Sequence, residues 1–409
     1  MEIGFVSFNQ EALNRANKVM KLLQGQGAID ELGLGRIRDA FSNTMFPGLS
    51  VLQTHAKYFM LMPSLYAHLE RKYISDTCEA RKIVRDNEIK LTERLMKGSS
   101  KGTGIIGGDM LQRKEGYVKY DPTYVYQSGM ETYGLIPRGG NIYATIVERS
   151  HILQNQPKKQ AGNVDSGDDS DDLTGNHQAY KTCGENYNFD SRVPDHDPLD
   201  ITLTHREAEF LKNQIIAHTQ GSLLAYLLDN GLYEIASKPF FDELGEILEN
   251  IPGKLYQTYR LALRYSRFAL LLRLRYAMLY DLAVGATEAA EKKLSEFKDT
   301  LAEHQDDFTS NAINEIVMFV STKVAEHTCK EFILNAATLI ETQDFEGLDQ
   351  LIAMREITIK GKKRSKLANA KEMIQGKPFE SPAMMSFRWN TIVRTVLKEI
   401  NEGLERLMI

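Results

Sequence analysis

The sequence predicts a mainly α protein. It has an α-rich N-terminal region at 1–153 with a small winged-helix-like β-hairpin element at 117–149, an acidic disordered insertion at 154–198, and an all-helical C-terminal region at 199–409. Three observations predict this. Apolar residues recur at three- and four-residue spacing along most of the chain, the period of an amphipathic helix. Alternating runs, the period of a strand, are short and few. The stretch 154–198 carries too little apolar surface to offset the entropy of ordering it.

Taken in order, residues 3–8 read as a strand. Ser7 and Gln10 then stand at capping-box spacing before Leu13, Ala16, Met20 and Leu23, and Gly25 and Gly27 end that helix. A second helix is expected over 36–45, stopped by Phe46-Pro47-Gly48, and a third over 50–73 with Pro63 as a kink or break. Residues 76–97 read as a charged helix. After a glycine-rich stretch, 117–120 reads as a strand, Asp121-Pro122 as N-cap and first helical residue, and Gly134 as the stop of a helix ending at Tyr133. The turn Pro137-Arg138-Gly139-Gly140-Asn141 and the alternating run 142–147 complete the hairpin.

The insertion contains Pro157-Lys158-Lys159, an acidic run at 165–172, and Pro194 and Pro198. Beyond it, Thr204 and Glu207 have capping-box spacing, and helices are expected near 238–250, 254–284, 287–303, 309–341 and 344–355. The last begins near Ser381-Pro382 and carries the single tryptophan, Trp389, through to Ile400. No repeat period emerges.

Composition limits the function classes. Apolar residues at 42% and charged residues at 26% are those of an ordinary folded protein, and a net charge of -5 argues against a uniformly basic nucleic-acid coat, so any such surface is local. Cys78, Cys183 and Cys329 are too dispersed for a zinc site and read as reduced thiols, while the N-terminus lacks the pattern of a secretory signal. The most apolar stretch, 259–284, contains five arginines, which excludes a spanning helix. The expectation is a cytoplasmic protein with no membrane contact.

No motif assigns a reaction. There is no elbow serine, HExxH or paired metal carboxylate, and no cofactor or metal is implied. Gly102, Gly104 and Gly107 match a dinucleotide fingerprint, but they follow a helix where a strand is required and read as a loop. Asp39, His55 and His68 have the chemistry of an acid–base set, yet the two histidines lie about 220° apart on a helical projection and read as scattered.

Positive charge is the stronger signal. Lys360, Lys362, Lys363, Arg364 and Lys366 put five cations in seven positions, with Arg355 just upstream, a pattern that displaces counterions from DNA or RNA without reading sequence. A solvated loop is the plainer alternative. Arg260, Arg264, Arg267 and Arg275 fall within about 80° of one another on a helix, either as an ion-paired face or as a phosphate track. If 117–149 is a winged helix, Tyr124, Tyr126 and Gln127 face a groove, with Arg138 and Arg149 beside the hairpin.

Residues 30–66 combine two helical patterns with the Phe-Pro-Gly break. They read as a packing corner, with Arg38, Asp39 and Gln53 satisfying one another around a core of Phe41, Phe46, Tyr58 and Phe59. With Lys57, the three polar residues are also the candidates if the protein is an enzyme of unrecognised type, a nuclease or toxin effector acting through 36–58.

Four blocks resemble an uncharacterised bacterial family of about this length: IRDAF…FPG…Q…AKYF within 30–66, GIIGGDML with DPTYVYQSGMETYGLI, LTHREAEFLKNQI, and KG…R.KL.N…RW within 355–390. Arg38, Asp39, Phe46, Pro47, Gly48, Gln53, Tyr58 and Trp389 are its signature positions, read as structural. Ser64 stands where the family pattern has an aromatic. The resemblance implies an accessory protein of an antiviral defence locus, with helicase or nuclease partners and no established active site. The functional expectation is a non-catalytic component of such an assembly that binds nucleic acid or a nucleic-acid-processing partner. A purely structural adaptor is the remaining alternative.

Overall fold

A computed structural model describes residues 30–99, 104–155, 180–185, 187–189, 197–324 and 327–406. The described residues form fifteen α-helices joined by short 3₁₀ and π turns, and no strand occurs among them. The strand expected at 3–8, the helix after it and the acidic run at 165–172 lie outside the described residues.

Two compact units arise, one from 1–45 and 238–390, the other from 46–237 and 391–409. In chain order, unit one opens with α1 (Gly35–Met45). Unit two takes α2 (Tyr58–Leu69), α3 (Thr77–Gly98), α4 (Gly108–Gln112), α5 (Pro122–Thr132), α6 (Ile142–Asn155), α7 (His205–His218) and α8 (Leu223–Asp229). Unit one resumes with α9 (Gly245–Leu248), α10 (Gly253–Ala283), α11 (Thr287–Glu303), α12 (Ser310–Val320), α13 (His327–Glu341) and α14 (Phe345–Lys360), and α15 (Arg394–Leu404) returns to unit two. Each unit draws on chain from both sides of 154–198.

Unit one is organised around α10, whose buried stripe includes Tyr265, Phe268, Leu272 and Tyr276. Phe41 of α1 packs its ring 5.9 Å from Tyr265 and 4.8 Å from Phe319, and the Tyr265 hydroxyl donates to the Leu34 carbonyl at 2.6 Å. Three of the four arginines of the stripe are ion-paired. Arg264 reaches Asp307 (3.2 Å) and Glu315 (2.6 Å), Arg267 reaches Asp307 (2.8 Å), and Arg275 reaches Asp349 (2.5 Å).

Unit two centres on the tyrosines of α2 and α5. The Tyr58 ring packs tilted against Tyr126 at 5.1 Å and Phe59 meets it edge-on at 4.9 Å, all fully buried. The Phe-Pro-Gly break is the corner that makes this possible. Gly48 has φ +81°, and a Cβ there would stand 2.8 Å from the Tyr133 ring. Gly129 of α5 lets the helix approach so closely that a Cβ would meet the Gly48 carbonyl at 2.4 Å. The Tyr133 hydroxyl donates to the Pro47 carbonyl at 2.9 Å.

Several expectations need correction. Residues 142–147 are not a strand but the start of α6, because Ile142, Ile146 and Ser150 share one buried helical face and Asn141 accepts from the Tyr143 amide at 3.0 Å. The β-branched run mimicked alternation, and no winged-helix hairpin forms. Residues 117–120 form no strand either, the Tyr117 ring being laid against Gly107. Residues 50–57 are not helical, since Gln53 ties back to the Ser50 amide (3.0 Å) and Gly48 carbonyl (3.1 Å). The expected helix at 309–341 is two helices, α12 and α13. The last helix starts later than Ser381 because Phe387 and Arg388 adopt φ of 48° and 69°. The insertion is partly packed: Tyr180 and Phe189 are buried, and Arg94 donates to the carbonyls of Asn188 (2.7 Å) and Asp197 (2.9 Å). The expected N-caps Asp121 and Thr204 are present, with the capping box at Glu207.

Glu88 of α3 lies buried beneath α5 and accepts from the Thr123 amide at 2.8 Å. Burial, with Asp121 nearby, pushes its carboxyl up to about 8. Between the ordinary 4.5 and about 8 only the folded state keeps this proton, so the group loses about 1.4 kcal/mol of stability per pH unit as pH rises. Urea unfolding of E88Q beside the parent tests this. From about pH 6 to about pH 8 the variant gains on the parent by about 2 kcal/mol; parallel profiles would contradict it.

Candidate functional site

The densest positive segment follows the end of α14. Gly361, at φ 77°, turns the chain into the 3₁₀ turn Lys362–Arg364. This turn is held from inside by Glu356, which is fully buried. Its carboxylate accepts from the Tyr276 hydroxyl (2.8 Å), the Ser365 hydroxyl (2.7 Å) and the amides of Lys366 (2.9 Å) and Leu367 (3.1 Å). Asn369 donates to the Lys362 carbonyl at 2.7 Å, and Arg364 Nε to the Lys360 carbonyl at 2.8 Å.

The six expected cations divide into two groups. Lys360 and Lys366 turn toward the buried Glu31, Lys366 at 2.8 Å, and Lys360 also reaches Glu356 at 3.4 Å. Burial, then Lys366, draws the Lys360 ammonium down to about 8. Arg355 is buried, donating to the Leu32 carbonyl at 3.0 Å with its guanidinium 5.2 Å from the Phe332 ring. Lys362, Lys363 and Arg364 are exposed, and among the described residues no carboxylate pairs with them. The result is three adjacent cations on a turn whose backbone is fixed, suited to polyanion contact and carrying no acid–base group.

In unit two the other expected residues separate. Tyr124 is 61% exposed beside Tyr120, with ring centroids 4.9 Å apart. Tyr126 is buried, not exposed. Its hydroxyl receives the amides of Thr54 (2.9 Å) and His55 (3.0 Å) and donates to the His55 carbonyl (2.8 Å). Arg138 donates to the Glu131 carbonyl at the end of α5 (3.2 Å). Arg149 pairs with Glu70 at 2.6 Å and lies 5.0 Å from the Tyr180 ring.

The signature residues make the following contacts within their own units. Arg38 pairs with Asp39 at 3.0 Å, both half-exposed, in unit one. Gln53 does not join them but serves the backbone of unit two. The Tyr58 hydroxyl accepts from the Ile106 amide at 3.0 Å, Phe46 is buried, and Trp389 donates to the Lys238 carbonyl at 3.0 Å.

Sequence reasoning missed the buried and half-buried carboxylates, Glu399, Glu207 and Glu356 among them. Glu399 of α15 meets His55 at 2.5 Å and the Ala56 amide at 2.6 Å. Glu207 meets Lys57 at 2.5 Å with both side chains almost completely buried. Glu356 organises the cationic turn. Only Glu207 carried a signal, its capping box, and that says nothing of a lysine 150 positions away.

Among the described residues no group of His, Cys, Asp or Glu is placed to hold a metal ion, and no helix is long and apolar enough to cross a membrane. Comparison with curated proteins and with solved structures finds no match. Residues 2–157 match the profile of a family described as a family of unknown function (DUF6361).

Proposed function

We propose that the protein is a non-catalytic helical component of a bacterial defence-type assembly, and that it binds nucleic acid through Lys362, Lys363 and Arg364. The observation that carries the reading is the turn itself: three exposed cations without carboxylate partners among the described residues, on a backbone fastened from below by Glu356. Such a site neutralises phosphates without reading bases. The defence context and the helicase or nuclease partners rest on the resemblance of the signature blocks. The residues named for the enzyme alternative are engaged within their own units, Arg38 with Asp39 and Lys57 with Glu207, which favours binding over catalysis.

Fluorescence anisotropy of the full chain with labelled duplex and single-stranded oligonucleotides tests the proposal. Binding at low salt is expected, with K362E/K363E/R364E weakening it at least about tenfold, since each lost phosphate contact removes its counterion release. No binding at low salt, or binding indifferent to the triple charge reversal, overturns the reading.

A further inference from the structure

The surface where the N-terminal end of α5 meets α3 and α6 in unit two has a composition that neither its packing nor the cationic turn accounts for. Tyr124 is 61% exposed, and its ring pairs with that of half-buried Tyr120 at 4.9 Å and 31°. Lys119 stands 5.5 Å from the Tyr120 ring. On α3, Arg85 lies over Tyr117 at 5.3 Å, and one turn earlier Arg81 lies over Tyr143 at 5.1 Å. Asp121 ties the group together, accepting from the Tyr124 amide at 2.9 Å and standing 3.9 Å from Arg85. Its charge also bears on Tyr117 and Tyr143.

We infer that this face is a stacking platform for single-stranded nucleic acid. The inference rests on the nucleic-acid reading above and names the form of the ligand, at a place separate in sequence from the turn. An exposed tyrosine ring offers a flat face to any unstacked base, and stacking of this kind tolerates every sequence. A duplex keeps its base faces covered, so only a single strand can use Tyr120 and Tyr124. Arg81, Arg85 and Lys119 supply the charge that tracks the phosphates, and the rings beneath both guanidiniums restrict their freedom before binding. Two carboxylates belong to the patch: Asp121 accepts from the Tyr124 amide and stands 3.9 Å from Arg85, and exposed Asp86 follows Arg85 on α3. Glu88, buried against the Thr123 amide, has its carboxyl pushed up to about 8 by burial and so adds little negative charge near pH 7.

The test uses the full chain and a single strand carrying 2-aminopurine, the same strand made abasic at its central positions, the matching duplex, and polyglutamate. The expected result is a change of 2-aminopurine fluorescence on binding. Y120A/Y124A should weaken the base-bearing strand about tenfold or more while altering the abasic strand little, and Y120F/Y124F should behave as the parent. Y124A alone, truncating the more exposed ring, serves if the double variant does not fold. Equal affinity for the base-bearing and abasic strands overturns the platform, as does polyglutamate competing as well as the strand, because either would show charge without stacking. In the same titrations K362E/K363E/R364E separates the two claims. If it leaves all binding unchanged while the tyrosine effect persists, the cationic turn fails and the platform stands. If it weakens binding while the tyrosine variants do not, the platform alone fails.

Discussion

Replacing Glu356 by alanine lowers the stability of the protein by about 3–5 kcal/mol, the range for breaking a buried charged network from one side. The carboxylate is fully buried and receives two hydroxyls, two backbone amides and the Lys360 ammonium. Without it the two hydroxyls and two amides lose this acceptor, each a desolvation loss, while the Lys360 ammonium keeps Glu31. The damage is local as well as global, because the amides of Lys366 and Leu367 are what hold the turn against α14. Urea unfolding gives the stability change, and trypsin, which cuts after lysine and arginine, should cleave the 360–366 segment faster in E356A. A loss under about 1 kcal/mol with unchanged cleavage would mean that Glu356 does not fasten the turn.

Lys57→Met has an effect of similar size in unit two. It leaves Glu207 with the Thr204 amide, at 2.8 Å, as its remaining partner in a site where the Lys57 and Glu207 side chains are 5% and 0% exposed. Burial already raises the Glu207 carboxyl, and Lys57 opposes that rise. Removing the ammonium raises it further. A carboxyl raised in the folded state loses stability as pH climbs above its unfolded value, so the K57M deficit grows with pH and reaches about 3–5 kcal/mol near neutrality. K57M/E207L, in which neither charge remains, should lose less than the sum of the single variants. Additive losses with no pH dependence would contradict the pairing.

Much of the helical fold was legible. The 3.6-residue period located α1, α3, α5, α10 and α11 nearly to their ends, and Asp121-Pro122 and Thr204…Glu207 declared themselves as caps because capping chemistry is local. Errors came where tertiary contacts decide. The run at 142–147 has both β-branched residues and a helical period, and the buried Ile142–Ile146 face settles it as helix. Tyr124 and Tyr126 look equivalent two residues apart in sequence, but one is solvent-exposed and the other is locked to the backbone of Thr54 and His55. The cationic segment was legible as composition only. Which lysines face inward depends on Glu31 and Glu356, and Glu31 lies more than three hundred residues away in sequence from Lys366.

The central claim is that Lys362, Lys363 and Arg364 bind phosphates, and the salt dependence of binding measures it most directly. The slope of log K against log salt is read from about 50 to about 200 mM for the full chain and for K362E/K363E/R364E on one duplex. Three phosphate contacts predict a slope shallower in the variant by about 2.7, three times the 0.9 per phosphate of duplex DNA. Slopes that coincide, at whatever affinity, would contradict the claim.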